Sequence, residues 1–173
     1  VFDPLPTLQT VELERCTALY GVPTMFIAAL DHPQVGSFDL SSLRTGIMAG
    51  APCPVEVMKR VAKDMHMSEV TIAYGMTETS PVATQTAVDD PLEIRASTVG
   101  RVHPHVEIRI VDPARRLVAR GGPGEFCTRG YSVMRGYWNR ADETEKVMLP
   151  GHVLRTGDIG YMDPQGYVFI EDR

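Results

Sequence analysis

Through the first half of the chain, short apolar runs alternate with amphipathic stretches, and in the second half apolar and polar residues alternate one by one. Leu8 to Leu19 contains the helix-forming core Glu12-Leu13-Glu14-Arg15, and Cys16 to Tyr20 then reads as a short strand. Pro23 suits a first helical position, so Thr24 to Leu30 is predicted as a mostly buried helix. Asp39 to Leu43 reads as a capped turn, and Thr45 to Ala49 as a second strand. That strand ends in the rigid, small-residue loop Gly50-Ala51-Pro52-Cys53-Pro54. From Pro54 a helix is predicted with Val57, Met58, Val61, Ala62 and Met65 on one face and Glu56, Lys59, Arg60, Lys63 and Asp64 mostly off it. Glu69 to Tyr74 is the third strand. Strand, helix, strand in this order implies parallel neighbours joined by right-handed crossovers.

After Thr79 the character changes. Residues 80–100 hold Ser, Thr, Asp and Pro and read as one long loop, a length that is usually functional or mobile in a compact chain. From Val102 the pattern is all β. Val106, Ile108 and Ile110 alternate with Glu107 and Arg109, and Gly121 to Gly124 is a turn before the strand Glu125 to Thr128. Asp142 to Met148 suits one helical turn. Leu154 to Met162, the turn Asp163-Pro164-Gln165-Gly166 and Tyr167 to Ile170 make a hairpin. The expected organisation is an α/β part over residues 1–103 and a β part over residues 104–173.

Composition narrows the function. The 173 residues suffice for one medium domain or two small ones, and 43% apolar with 23% charged is ordinary for a globular protein. A net charge of −5 offers no basic field for nucleic acid or an anionic membrane. The longest apolar run, Met25 to Leu30, is too short to cross a bilayer. Val1-Phe2-Asp3-Pro4 has no leader layout, and both ends read as cut, so a segment of a longer protein is expected. Cys16, Cys53 and Cys127 are odd in number and widely spaced, which argues against a disulfide framework and suits a reducing cytoplasm. His66, His103, His105 and His152 fit no metal-ligand spacing and are expected at the surface.

The chemistry gathers at the tip of the third strand. Ala73-Tyr74-Gly75-Met76-Thr77-Glu78-Thr79 delivers a flat ring, a glycine, a hydroxyl and a carboxylate within a few residues. Those are the groups that a nucleotide with Mg²⁺ would need, and strand ends are where ligands gather in open parallel sheets. Plain structural uses exist for each: a core tyrosine closing a strand, or a Thr/Glu pair capping a turn.

Tyr74-Gly75-Met76-Thr77-Glu78 resembles the Tyr-Gly-x-Thr-Glu signature of the adenylate-forming, AMP-binding superfamily, which includes acyl-CoA synthetases, luciferases and peptide-synthetase adenylation domains. Four further blocks agree in order. Met48 to Pro52 resembles the Gly-Gly-Ala-Pro loop. Gly124-Glu125-Phe126 with Arg129 to Trp138 resembles the Gly-Glu-Leu…Arg-Gly…Met-x-Gly-Tyr block. Arg155 to Gly160 resembles the Thr-Gly-Asp motif, and Gly166 to Arg173 the approach to the hinge. Gly21 to Phe26 is similar to the fatty-acyl-CoA synthetase branch.

The resemblance implies part of a three-layer α/β subdomain followed by a small antiparallel β-barrel subdomain that stops before the hinge to a C-terminal domain. It implies ATP or AMP, Mg²⁺ and coenzyme A, with small-molecule partners and no nucleic acid. Thr77 and Glu78 would be catalytic, Thr77 on the α-phosphate and Glu78 on Mg²⁺. Gly50, Ala51, Pro52, Tyr74, Gly75, Met76, Thr77, Asp158 and Arg173 would hold the nucleotide. Tyr74 would lie on adenine, and Asp158, with Arg173 fifteen positions on, would hold the ribose. Gly75, with Val22 and Met25 as apolar walls, would leave room for a medium or longer acyl chain; ordinary core packing would use the same residues. Ala49 stands where the family usually has Gly, and Gly151-His152-Val153 replaces the usual Gly-Trp/Phe pair. The family's lysine-containing phosphate loop would precede residue 1, and its adenylation lysine would follow residue 173. The expected parent is a fatty acid–CoA ligase, with the isolated segment inactive. An amino-acid adenylation domain, or for the segment alone a non-catalytic nucleotide-binding module, remains the alternative.

Overall fold

The computed structural model describes residues 2–172. The chain forms two compact units: one holds the chain through Ala73 together with Thr86–Ser97, the other Tyr74–Gln85 together with the chain from Thr98 onward.

The first unit is a parallel α/β layer. Helix α1 (Pro4–Leu13) starts before the predicted Leu8, because Asp3 caps it, its carboxylate accepting from the Leu5 N–H at 3.0 Å, and Pro4 fills the first turn. Strand β1 (Ala18–Gly21), helix α2 (Pro23–Leu30), strand β2 (Thr45–Ala49), helix α3 (Val55–Asp64) and strand β3 (Glu69–Gly75) follow. The strands pair in parallel, Ala18 beside Thr45 and Thr45 beside Glu69, with one helix in each crossover. On α3, Val57, Met58 and Val61 are buried, the stripe that the apolar periodicity predicts. They share a methionine-rich core of Met48, Met58, Met65 and Met67, all fully buried, with Leu8, Phe26 and Val70. Flexible thioethers fill irregular gaps of this kind.

The predicted loop over residues 80–100 is a correction. It contains strand β4 (Val82–Gln85) and helix α4 (Leu92–Ser97). Arg95 of α4 is 7% exposed and donates to the carbonyls of Ser68 (2.9 Å) and Val70 (2.7 Å), tying this helix to the start of β3. Short elements fixed by such long-range bonds leave no local periodicity to read.

The second unit carries a curled antiparallel half-barrel sheet. Strand β5 (Arg101–Val102) pairs with β4. Strands β6 (Val106–Val111) and β7 (Gly124–Gly130), helix α5 (Ala141–Val147), and strands β8 (Met148–Leu149), β9 (Val153–Met162) and β10 (Val168–Asp172) complete the unit; the half-barrel sheet itself has the order β10-β9-β7-β6 with β8 on β9, and β5 is not part of it. Alternation along each strand builds a core on either face. Ile110, Phe126 and Val168 form one; Val111, Cys127 and Val153 form the other. Glu107 pairs with Arg109 (2.5 Å) and Arg129 (2.6 Å), and these charges hold its carboxyl below the usual range.

Candidate active site

β3 ends at Gly75, and the chain turns through a 3₁₀ turn, Thr77–Thr79, that Thr79 builds. Its buried hydroxyl accepts from the Met76 N–H at 3.0 Å and lies 2.7 Å from the Pro81 carbonyl and 2.9 Å from that of Met76. Thr79 thus does the structural work of the turn. Thr77 is left exposed, its hydroxyl available to a ligand. Gly75 has a backbone reason: a Cβ there would sit 1.7 Å from the Pro81 carbonyl oxygen. The glycine is required by this chain path whatever the substrate.

Asp158 reaches the site through a bulge in β9. Between the paired positions Glu125↔Ile159 and Cys127↔Arg155, β7 has Phe126 alone while β9 has Thr156, Gly157 and Asp158. The Thr156 hydroxyl donates to the Phe126 carbonyl at 2.7 Å and accepts the Asp158 N–H at 3.1 Å. Gly157 takes φ +80°, a left-handed conformation that suits glycine. Arg155 braces the rim, donating from Nε (3.0 Å) and Nη2 (2.8 Å) to Glu125. Bulges re-aim side chains, and this one presents Asp158, 7% exposed, to Tyr74. The Tyr74 hydroxyl donates to the Asp158 carboxylate, a contact spanning 84 positions in sequence. The Tyr74 ring packs edge-on to Phe126, centroids 5.0 Å apart at 70°, so its plane is set from two sides.

Glu78 has one side-chain partner that the sequence reading assigned no role. The Tyr137 hydroxyl donates to its Oε1 at 2.7 Å, and that bond to a carboxylate raises the phenol's pKa. The Met134 N–H donates to the Glu78 carbonyl at 2.8 Å. Among the described residues no three His, Cys, Asp or Glu cluster as a metal site. Glu78 offers a single carboxylate, so a cation held here would have to draw its other ligands from phosphate and water oxygens, the shell that Mg²⁺ prefers.

The remaining sequence-predicted residues lie as follows. Gly50 (φ +88°), Ala51 and Pro52 form an exposed bend in the first unit. Val22, exposed, precedes α2, and a Cβ on Gly50 would meet it at 3.3 Å; Met25 is half-buried. Met76 leads into the 3₁₀ turn. Arg173 lies outside the described residues. His66, His105 and His152 are exposed in left-handed turns, while His103 is half-buried, Nε2 at 3.1 Å from Gln85. All three cysteines are free. Thr79, Phe126, Thr156 and Tyr137 were missed as supporting residues. Thr156 carries a signal, standing two before Asp158, whereas Tyr137 lies 59 positions from Glu78 and leaves none.

An adenylate-forming fold with an aromatic–carboxylate pair at the strand tip defines the class. The chain belongs to the AMP-binding enzyme family, whose model matches residues 1–138. It is 54% identical over 173 residues to the protein named as acyl-CoA synthetase YngI of Bacillus subtilis, covering 99% of this chain and 32% of that protein. It is 42% identical to the medium-chain acyl-CoA ligase ACSF2, mitochondrial, of Bos taurus, covering 100% of this chain and 28% of that protein. Among solved structures, the amide bond synthetase McbA of Marinactinospora thermotolerans superposes with a TM-score of 0.88 at 33% identity, over 99% of this chain and 34% of that one. The chain thus spans about a third of the length of the relatives it matches.

Proposed function

We propose that this chain is the adenosine- and cation-facing part of a ligase that activates a fatty acid with ATP and passes it to coenzyme A. Membership of the AMP-binding enzyme family supports the nucleotide. Relatives named acyl-CoA synthetase and medium-chain acyl-CoA ligase support the acid and the thiol. The observation that carries the reading is the Tyr74–Asp158 contact, which gathers a ring for adenine and a carboxylate for ribose at one point.

In this reading a fatty carboxylate oxygen attacks the α-phosphorus, and the bond to pyrophosphate breaks. The coenzyme A sulfur then attacks the acyl carbonyl, its proton is lost and AMP leaves. Two anions must meet in the first step, so positioning and charge neutralisation do the work. Tyr74 orients the base, Asp158 holds the ribose, Thr77 donates to the α-phosphate and Glu78 anchors the cation. Mg²⁺, when bound, would supply charge neutralisation at the phosphates. By the family resemblance Gly50, Ala51 and Pro52 would supply a wall without bulk for the adenine, Met76 would contribute backbone, and Arg173 would be the second ribose contact. Val22 and Met25 remain candidates for the acyl wall. Free cysteines suit a cytoplasmic enzyme, and no helix among the described residues is long and apolar enough to cross a membrane.

Pyrophosphate release tests the proposal. The full-length protein carrying this chain should release it with ATP, coenzyme A and a fatty acid, and residues 1–173 alone should not. Release with amino acids but not fatty acids would move the assignment to an amino-acid adenylation domain.

A further inference from the structure

Glu78 is a single carboxylate, and a lone carboxylate on a short turn can swing. What fixes it is outside its own turn. The Tyr137 hydroxyl reaches Oε1 at 2.7 Å. Tyr137 is itself held: its N–H donates to the Thr144 Oγ1 of α5 at 2.9 Å, and that hydroxyl donates to the Arg140 carbonyl at 2.9 Å. The Met134 N–H, on the same loop, clasps the Glu78 carbonyl at 2.8 Å. The loop between β7 and α5 therefore grips Glu78 at both backbone and side chain. We infer that Tyr137 is a positioning residue that orients the Glu78 carboxylate toward a divalent cation, anchored in turn by Thr144.

The chemistry favours this use. A phenol donor fixes one carboxylate oxygen while adding no positive charge, so Glu78 keeps the charge that attracts a cation. A lysine or arginine in its place would compete with the metal. Partners of this kind behind a ligand typically affect metal affinity by about 10- to 100-fold. Tyr137 is 38% exposed, so the low end, about tenfold, is expected.

The inference rests on Glu78 as the cation's ligand, and the test separates the two. Mn²⁺ binding to the full-length protein with ATP is read by electron paramagnetic resonance for wild type, Glu78→Gln, Tyr137→Phe and Thr144→Val, each with its melting temperature. Weakening of about tenfold in Tyr137→Phe with an unchanged melting temperature, more in Glu78→Gln and less in Thr144→Val, supports the inference. In steady state, the Mg²⁺ requirement should rise in Tyr137→Phe while KM for the acid stays fixed. Weaker Mn²⁺ binding in Glu78→Gln with wild-type binding in Tyr137→Phe overturns the positioning role and leaves the Glu78 assignment standing. Wild-type binding in Glu78→Gln removes both. If Tyr137→Phe fails to fold, Thr144→Val decides alone: wild-type Mn²⁺ binding in it overturns the relay.

Discussion

The two compact units solve different problems. The first is regular: parallel strands, a helix per crossover, and a core of Met48, Met58, Met65 and Met67 that any volume-matched apolar set could approximate. The second is irregular where its candidate chemistry sits. A 3₁₀ turn at Thr77–Thr79 and a bulge at Thr156–Asp158 each depart from the ladder, and each departure presents one of the proposed ligand groups. Regular elements supply stability, while their interruptions aim side chains.

That contrast can be broken or sharpened experimentally. The largest effect should come from the regular half: Met58→Ala empties a fully buried position and should cost about 2–5 kcal/mol in a denaturant titration. AMP affinity of the still-folded protein should not change. Thr156→Val comes next. It strips the bulge of the hydroxyl that satisfies both the Phe126 carbonyl and the Asp158 N–H, for about 1–3 kcal/mol, and here nucleotide affinity should fall with stability. Gly157→Ala, forced into a left-handed conformation, should cost about 1–2 kcal/mol and shift Asp158. If Met58→Ala weakened AMP binding as much as Thr156→Val, the division of labour would fail.

The smallest effect is one of pH. Burial pushes the Cys53 and Cys127 thiols from 9.0 up to about 11. A thiol whose folded pKa is raised keeps its proton longer when folded. Its contribution is complete below about pH 9 and is lost as pH rises to about 11. Melting temperatures should accordingly fall over that window, and less so in Cys127→Ala.

The parallel half was legible because its signals are local: the α3 stripe, Pro23 at a helix start, and apolar strands of uniform spacing. Tyr74 and Glu78 were legible as a motif, and so was Asp158. What was not legible depends on distant partners. The segment over residues 80–100 hid β4 and α4, whose places are set by bonds such as Arg95 to Val70. The bulge is a register difference between β7 and β9, which neither strand announces alone. Gly75 read as space for an acyl chain, and nothing in the sequence hinted that the Pro81 carbonyl, six residues on, folds back against it.

One titration bears most directly on the claim that Tyr74 and Asp158 meet around one adenosine. AMP binding to the full-length protein is measured by calorimetry for wild type, Asp158→Ala and Tyr74→Ala, with each variant's folding checked. Losing a charged hydrogen-bond partner or a stacked ring should weaken AMP by about tenfold or more in each variant. Wild-type affinity in a folded Asp158→Ala protein would contradict the assignment.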